Sequence, residues 1–253
     1  LTITGGNISA HPQSEVHDAF ATFTNGSITM DGVTYTSTGA GMGTATTENG
    51  EQQANGSKIT VRNSTITANT YAISTNATTP VPQDVVITLE NSTFTGTSPL
   101  LFNIPCTATI TNCHLNGTYH GMILRGGTAT ITDSEITLAW YDSENTPAET
   151  IANYFDSQDW GSGNMVNCAG LTVGNKSTGY QYPTNLTLEN TTVQSIDTNA
   201  SYFPAMYVYA NSGADLGVTL TYDDQCTFTT PHDPTIEYGS TNITVNGMAV
   251  ENQ

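Results

Sequence analysis

A five-residue figure recurs along the chain: apolar, Thr, apolar, any residue, then Asn or Asp. It reads Ile59-Thr60-Val61-Arg62-Asn63, Ile87-Thr88-Leu89-Glu90-Asn91, Ala108-Thr109-Ile110-Thr111-Asn112 and Ala129-Thr130-Ile131-Thr132-Asp133. Leu186-Thr187-Leu188-Glu189-Asn190 continues it, and Ile243-Thr244-Val245-Asn246-Gly247 is a degenerate last copy. Three residues beyond each Asn or Asp a further apolar side chain returns: Ile66, Phe94, Leu115, Ile136 and Val193. Alternation of period two, rich in β-branched residues and bounded by Asn, Gly and Ser, predicts short strands ended by turns. The central threonines lie 28, 21, 21, 57 and 57 residues apart. One long interval holds an insertion, and the other leaves room for an intervening winding around Val218-Thr219-Leu220.

Strands returning at such intervals, with no 3.6-residue period between them, predict a parallel solenoid with one winding per repeat. Windings stacked about 4.8 Å apart place equivalent residues above one another. The flanking apolar residues then fill the interior, the central Thr faces out, and Asn or Asp turns the corner in a column able to hydrogen-bond from winding to winding. A second set of strands follows the first: Tyr71-Ala72-Ile73, Leu100-Leu101-Phe102, Gly121–Arg125, Gly170–Gly174 and Ala205–Tyr209. Period two there turns Met122/Leu124, Leu171/Val173 and Met206/Val208 inward. It turns Ile123/Arg125, Thr172/Gly174 and Tyr207/Tyr209 outward. Residues 141–164 are an inserted loop between two strands of one winding, of a length that in compact domains is functional or disordered.

Runs such as Thr109-Ile110-Thr111-Asn112-Cys113 and Tyr119–Gly127 resemble windings of right-handed parallel β-helices of the pectin-lyase-like group, above all adhesin-like surface proteins of gut bacteria. The resemblance covers residues 57–247, and residues 1–56 read as irregular opening coils. Its implied fold is all-β: one domain over residues 1–253, a right-handed parallel β-helix of about eight coils with one long loop insertion. The recurring residues are core and corner residues, which such a fold needs whatever it does.

Composition narrows the partners. Lys and Arg total 4 against 22 Asp and Glu, for a formal net charge of −18. Such a surface excludes phosphate-backbone recognition and docking on anionic lipid through a basic patch. Charged residues make up 10% of the chain, so 47 Thr and 23 Asn carry much of its wettability. No apolar stretch approaches the roughly 20 residues of a membrane-spanning helix. The chain opens on Leu1 with no signal-peptide pattern, as expected of a mature or excised piece flanked by further domains. Cys106, Cys113, Cys168 and Cys226 fit either two disulfides or four thiols. Twelve Asn-x-Ser/Thr triplets occur, which an Asn- and Thr-rich chain generates without glycosylation.

The resemblance includes polysaccharide lyases and glycoside hydrolases, for which the candidate catalytic residues are Arg125, Asp156 and Asp159. Arg62 shares an outward column with Glu90, and a surface ion pair accounts for it. Arg125 reads as a solvated strand-end arginine unless it joins a site. His120-Gly121 is similar to the Gly-His-Gly stretch of polygalacturonases, but Tyr119 stands in place of the first Gly and no adjacent aspartate pair occupies a matching strand. His120 therefore reads as a turn histidine, and Asp223-Asp224 as a turn pair. Asp142, Glu144, Glu149, Asp156 and Asp159 offer carboxylates within the insertion that could hold Ca2+, without the order of a recognised calcium loop. No metal site is expected. Trp140, Tyr141, Tyr154, Phe155 and Trp160 crowd the insertion. Exposed rings beside a solenoid groove suit stacking on sugar faces, so Tyr207, Tyr209, Trp160 and Tyr154 are the candidate ligand-binding residues. Thr-x-Thr rows also suggest an ice-binding lattice, but Arg62, Glu90 and Glu189 break its second column.

Together these readings predict a non-catalytic, adhesin-like module, extracellular or on a cell surface, binding carbohydrate or another host or surface ligand without a cofactor. The alternative is a carbohydrate-active enzyme acting on a polysaccharide.

Overall fold

A computed structural model describes residues 1–11, 21–23, 26–44, 56–75, 85–139, 168–175, 182–196, 203–210 and 216–251. Among these there is no helix, and the strands form three sheets of ten, eight and eight members. Neighbouring strands are parallel throughout, except at one edge. Successive strands of the chain enter the first, second and third sheet in turn, so the protein is an all-β parallel solenoid with no closed barrel.

One winding shows how the sequence produces this. Cys106–Thr111 lies in the first sheet, His114–Gly117 in the second and His120–Arg125 in the third; Gly127–Thr132 then begins the next winding. Between the first and second strands the chain turns at one residue in left-handed conformation: Asn63, Asn91, Asn112, Asp133 and Asn190 have φ of 49°, 49°, 50°, 51° and 45°. A Cβ is penalised there, and Asn and Asp are among the residues that bear the penalty best. The ladder expected of a stacked corner forms. Asn112 Nδ2 donates to Asn91 Oδ1 at 2.9 Å, Asn91 Nδ2 to Asn63 Oδ1 at 3.3 Å, and Asn63 Nδ2 to Asp31 Oδ1 at 2.8 Å. Asp133 has no side-chain donor and starts a second run, accepting from Asn190 Nδ2 at 2.6 Å.

The next residue at each corner forms a column that the sequence reading overlooked: Ser64, Ser92, Cys113, Ser134 and Thr191. Each donates back across the turn, as Ser92 Oγ does to Glu90 O at 2.7 Å and Ser134 Oγ to Thr132 O at 2.8 Å. The same hydroxyls accept from the preceding winding: Ser64 N from below reaches Ser92 Oγ, and Cys113 N reaches Ser134 Oγ, both at 3.1 Å. Buried backbone donors at the bend are thereby satisfied. Asn for the turn, Ser or Thr for the hydroxyl and Thr for the following strand spell Asn-x-Ser/Thr at residues 63–65, 91–93 and 190–192 as a by-product of folding.

Inward positions stack as expected. Ile59, Ile87, Ala108, Ala129 and Leu186 lie over one another in the first sheet, and Ile66, Phe94, Leu115, Ile136 and Val193 in the second. All are buried in one continuous core. Outside, Thr2, Thr29, Thr60, Thr88, Thr109, Thr130, Thr187 and Thr221 form a single uninterrupted column. Val218–Tyr222 supplies the winding for which the sequence left room. The next column is broken by charge, and there Arg62 Nε meets Glu90 Oε2 at 2.8 Å.

Two expectations need correction. The described opening residues are regular: Thr2–Thr4 and Ser27–Asp31 join the first sheet in register, and Asn7–Ala10 and Thr34–Ser37 the second. Their corners are Gly5 and Gly32, at φ 67° and 68°, which reach the same conformation without the Asn signature. The last copy is displaced by two residues, because Thr244 lies beside Thr219 rather than Thr221. That copy also ends the first sheet. Asn246 and Gly247, at φ 48° and 80°, turn Met248–Ala249 back antiparallel on Ile243–Val245, as an Asn-Gly hairpin turn does.

Candidate binding site on the third sheet

The outward side of the third sheet brings together residues from five windings. Leu101, Ile123, Thr172, Tyr207 and Glu237 follow one another in register, and Arg125 pairs with Gly174. Leu101, Ile123 and Thr172 point away from the solenoid core yet are buried, and the first two pack in a separate apolar cluster with Tyr71 and Tyr209. This face is thus not the open surface that alternation alone suggests.

Two glycines decide how the tyrosines lie. A Cβ on Gly174 would stand 2.2 Å from Cε1 and Cζ of Tyr209 and 2.6 Å from Cδ1. The Tyr209 ring therefore lies across Gly174, one winding back. A Cβ on Gly239 would stand 2.2 Å from the Tyr207 hydroxyl, so that ring reaches across Gly239, one winding on. The two rings are 5.8 Å apart at 27°, an offset stack tiling the sheet. Both residues are half-buried.

Arg125 is 1% exposed, among the largest buried side chains, so the solvated strand-end reading fails. It is the strand partner of Gly174, across which the Tyr209 ring lies, and the guanidinium lies close enough to that phenol to bear on its ionisation. Burial pushes the Tyr209 hydroxyl up, and the Arg125 charge opposes the rise. Tyr207 is pushed up to about 12, first by burial and then by the negative charge of Glu237. Glu237 in turn faces His232, with Oε2 3.4 Å from Nε2; their side chains are 33% and 18% exposed. The His232 turn is pinned by its backbone N–H donating to Thr230 Oγ1 at 3.1 Å, while Thr230 Oγ1 donates to Phe203 O at 2.6 Å.

Tyr207, Tyr209 and Arg125 of the expected set therefore share one face. Trp160, Tyr154, Asp156 and Asp159 lie outside the described residues, as do Asp142, Glu144, Glu149 and the other rings of the insertion. Glu237 and His232 were missed. Ile236-Glu237-Tyr238 carries no corner residue to set its register, and no local pattern there pointed to the site.

Other candidates dissolve into structure. His120 is not a turn residue: it opens the strand His120–Arg125, fully buried, with Nδ1 3.1 Å from Ser98 Oγ. Asp223 closes the corner column by accepting from Asn190 N at 3.1 and 3.2 Å, and from Gln225 N and Cys226 N. All four cysteines are free thiols, which decides between the two readings of their number. Among the described residues no three His, Cys, Asp or Glu side chains gather as a metal site would require, and no helix is long and apolar enough to cross a membrane. Compared with known proteins, the chain matches no family model, no curated protein and no solved structure.

Proposed function

We propose that the chain is a right-handed parallel β-helix module of an extracellular or cell-surface protein that binds carbohydrate without transforming it, in the manner of an adhesin. The observation that carries this reading is the tyrosine pair. Two rings laid nearly parallel over glycine positions form a stacking platform, held in place by the sheet beneath and edged by polar groups. Sugar rings offer apolar CH faces to such a platform and hydroxyls to its rim. The acidic surface fits an uncharged polar ligand better than a polyanion.

A glycan array probed with the folded protein tests this. Binding should be detectable on wild type and lost on Tyr207→Ala, with the far-UV spectrum unchanged. Equal binding by the variant would overturn the role of the pair.

The enzymatic alternative rests on the buried Arg125 beside Tyr209. Its further requirement, two carboxylates facing each other across a sugar, has one described contributor on this face, Glu237. Incubation with neutral and acidic polysaccharides should release neither reducing nor unsaturated ends. Release that disappears on Arg125→Ala would replace the binding reading with catalysis.

A further inference from the structure

We propose that Glu237, oriented by His232, is the specificity-determining edge of the tyrosine platform, admitting neutral sugars with adjacent hydroxyl pairs and turning away uronic acids. This rests on the carbohydrate reading above and adds the ligand class.

Glu237 is the partner of Tyr207 on the neighbouring strand, on the same outward side. Tyr207 lies diagonally across Gly239, two residues further along that strand, so ring and carboxylate border one patch of sheet. The carboxylate is one-third exposed rather than sealed, so it remains open to a ligand. Ionised, it is acceptor-only, with about four lone-pair sites, and His232 approaches one oxygen. The remaining sites can accept from two neighbouring hydroxyls of a sugar whose ring rests on Tyr207. Hydroxyl-to-carboxylate bonds are charge-assisted and stronger than neutral ones.

The same charge discriminates. A ligand carboxylate brought to this edge would meet Glu237 at short range in a half-buried setting, where like charges repel far more than in bulk water. A chain of net charge −18 adds to that repulsion. The one arginine or lysine on this face, among the described residues, does not offset it at the rim: Arg125 is 1% exposed, beside Tyr209. Tyr207 registers the local field, since the Glu237 charge contributes to its raised pKa.

The test uses the whole chain on an array pairing oligomers of galactose with galacturonic acid, and of glucose with glucuronic acid. Wild type should bind at least one neutral oligomer about tenfold or more tightly than its uronate counterpart. Glu237→Gln should weaken the neutral ligand about tenfold, as loss of a charge-assisted bond does, and thereby abolish a roughly tenfold preference. An unchanged ratio in Glu237→Gln, with binding still lost in Tyr207→Ala, overturns the role of Glu237 and leaves the platform standing. A wild-type preference for uronates also overturns it. Failure of wild type to bind any probe overturns the carbohydrate reading and this inference together. Should Glu237→Gln not fold, Glu237→Ala reads the same quantity, and an unchanged ratio of neutral to uronate affinity in that variant refutes the mechanism.

Discussion

Asn91 tests what the corner contributes. It sits at φ 49°, donates to Asn63 at 3.3 Å and accepts from Asn112 at 2.9 Å. Asn91→Ala removes both side-chain bonds, about 0.5 kcal/mol each at an exposed site, and places an unsupported Cβ in the left-handed region for about 1 kcal/mol more. The sum is roughly 2 kcal/mol. Asn91→Gly loses the same two bonds but escapes the steric cost; the extra freedom of glycine in the unfolded chain offsets roughly half of that gain, so it should lie about 0.5 kcal/mol above the alanine variant. Urea unfolding followed by far-UV circular dichroism reads the difference as a shift in midpoint at constant slope. A solenoid can unfold in stages, so coincidence of the ellipticity and tyrosine-fluorescence transitions should be verified first. Alanine as stable as glycine would refute the claim that the left-handed turn selects the residue. Wild-type stability in both variants would refute the ladder.

Three further outcomes follow from the same structure. Cys106 and Cys113 are pushed by burial to about 12 and about 11 from an ordinary 9.0, so the folded chain keeps protons that unfolded thiols release. Stability should hold below pH 9 and fall as pH rises towards 12, and Cys106→Ala should show a shallower fall in urea midpoint relative to its own value at pH 8. Secretion from a glycosylating host should leave Asn63, Asn91 and Asn190 unmodified by peptide mass spectrometry, because each Nδ2 is a ladder donor; a glycan on any of them would refute the assignment. Gly174→Ala should displace the Tyr209 ring with which its Cβ collides, changing near-ultraviolet dichroism while the far-ultraviolet spectrum persists.

The core and the outward threonines were legible because parallel stacking copies one winding's chemistry onto the next. Ile59 and Ile87, or Thr60 and Thr88, are neighbours in space for the same reason that they match in sequence. Gly5 and Gly32 hid the opening windings, since glycine solves the same backbone problem and a pattern written for Asn or Asp finds five of these seven left-handed corners. The site was less legible. Alternation placed Tyr207, Tyr209 and Arg125 on one side but could not tell that Arg125 is buried, because burial there depends on what covers an outward face and not on the strand's own period. Glu237 escaped because its importance comes from register with Tyr207, 30 residues earlier, which no local pattern encodes.

The bend between the first two sheets has a mechanical consequence. Side-chain amides there donate towards the earlier winding, while backbone amides such as Asn91 N donate towards the later one, to Thr111 O. A slip of one residue would put a serine in the left-handed position and turn its hydroxyl outward, breaking both sets at once. The bend thus works as a pawl, resetting the chain's phase on every circuit. Spans of 21, 28 or 57 residues from one pawl to the next leave the alignment of all three sheets unchanged, and length can vary freely wherever the chain is not being indexed.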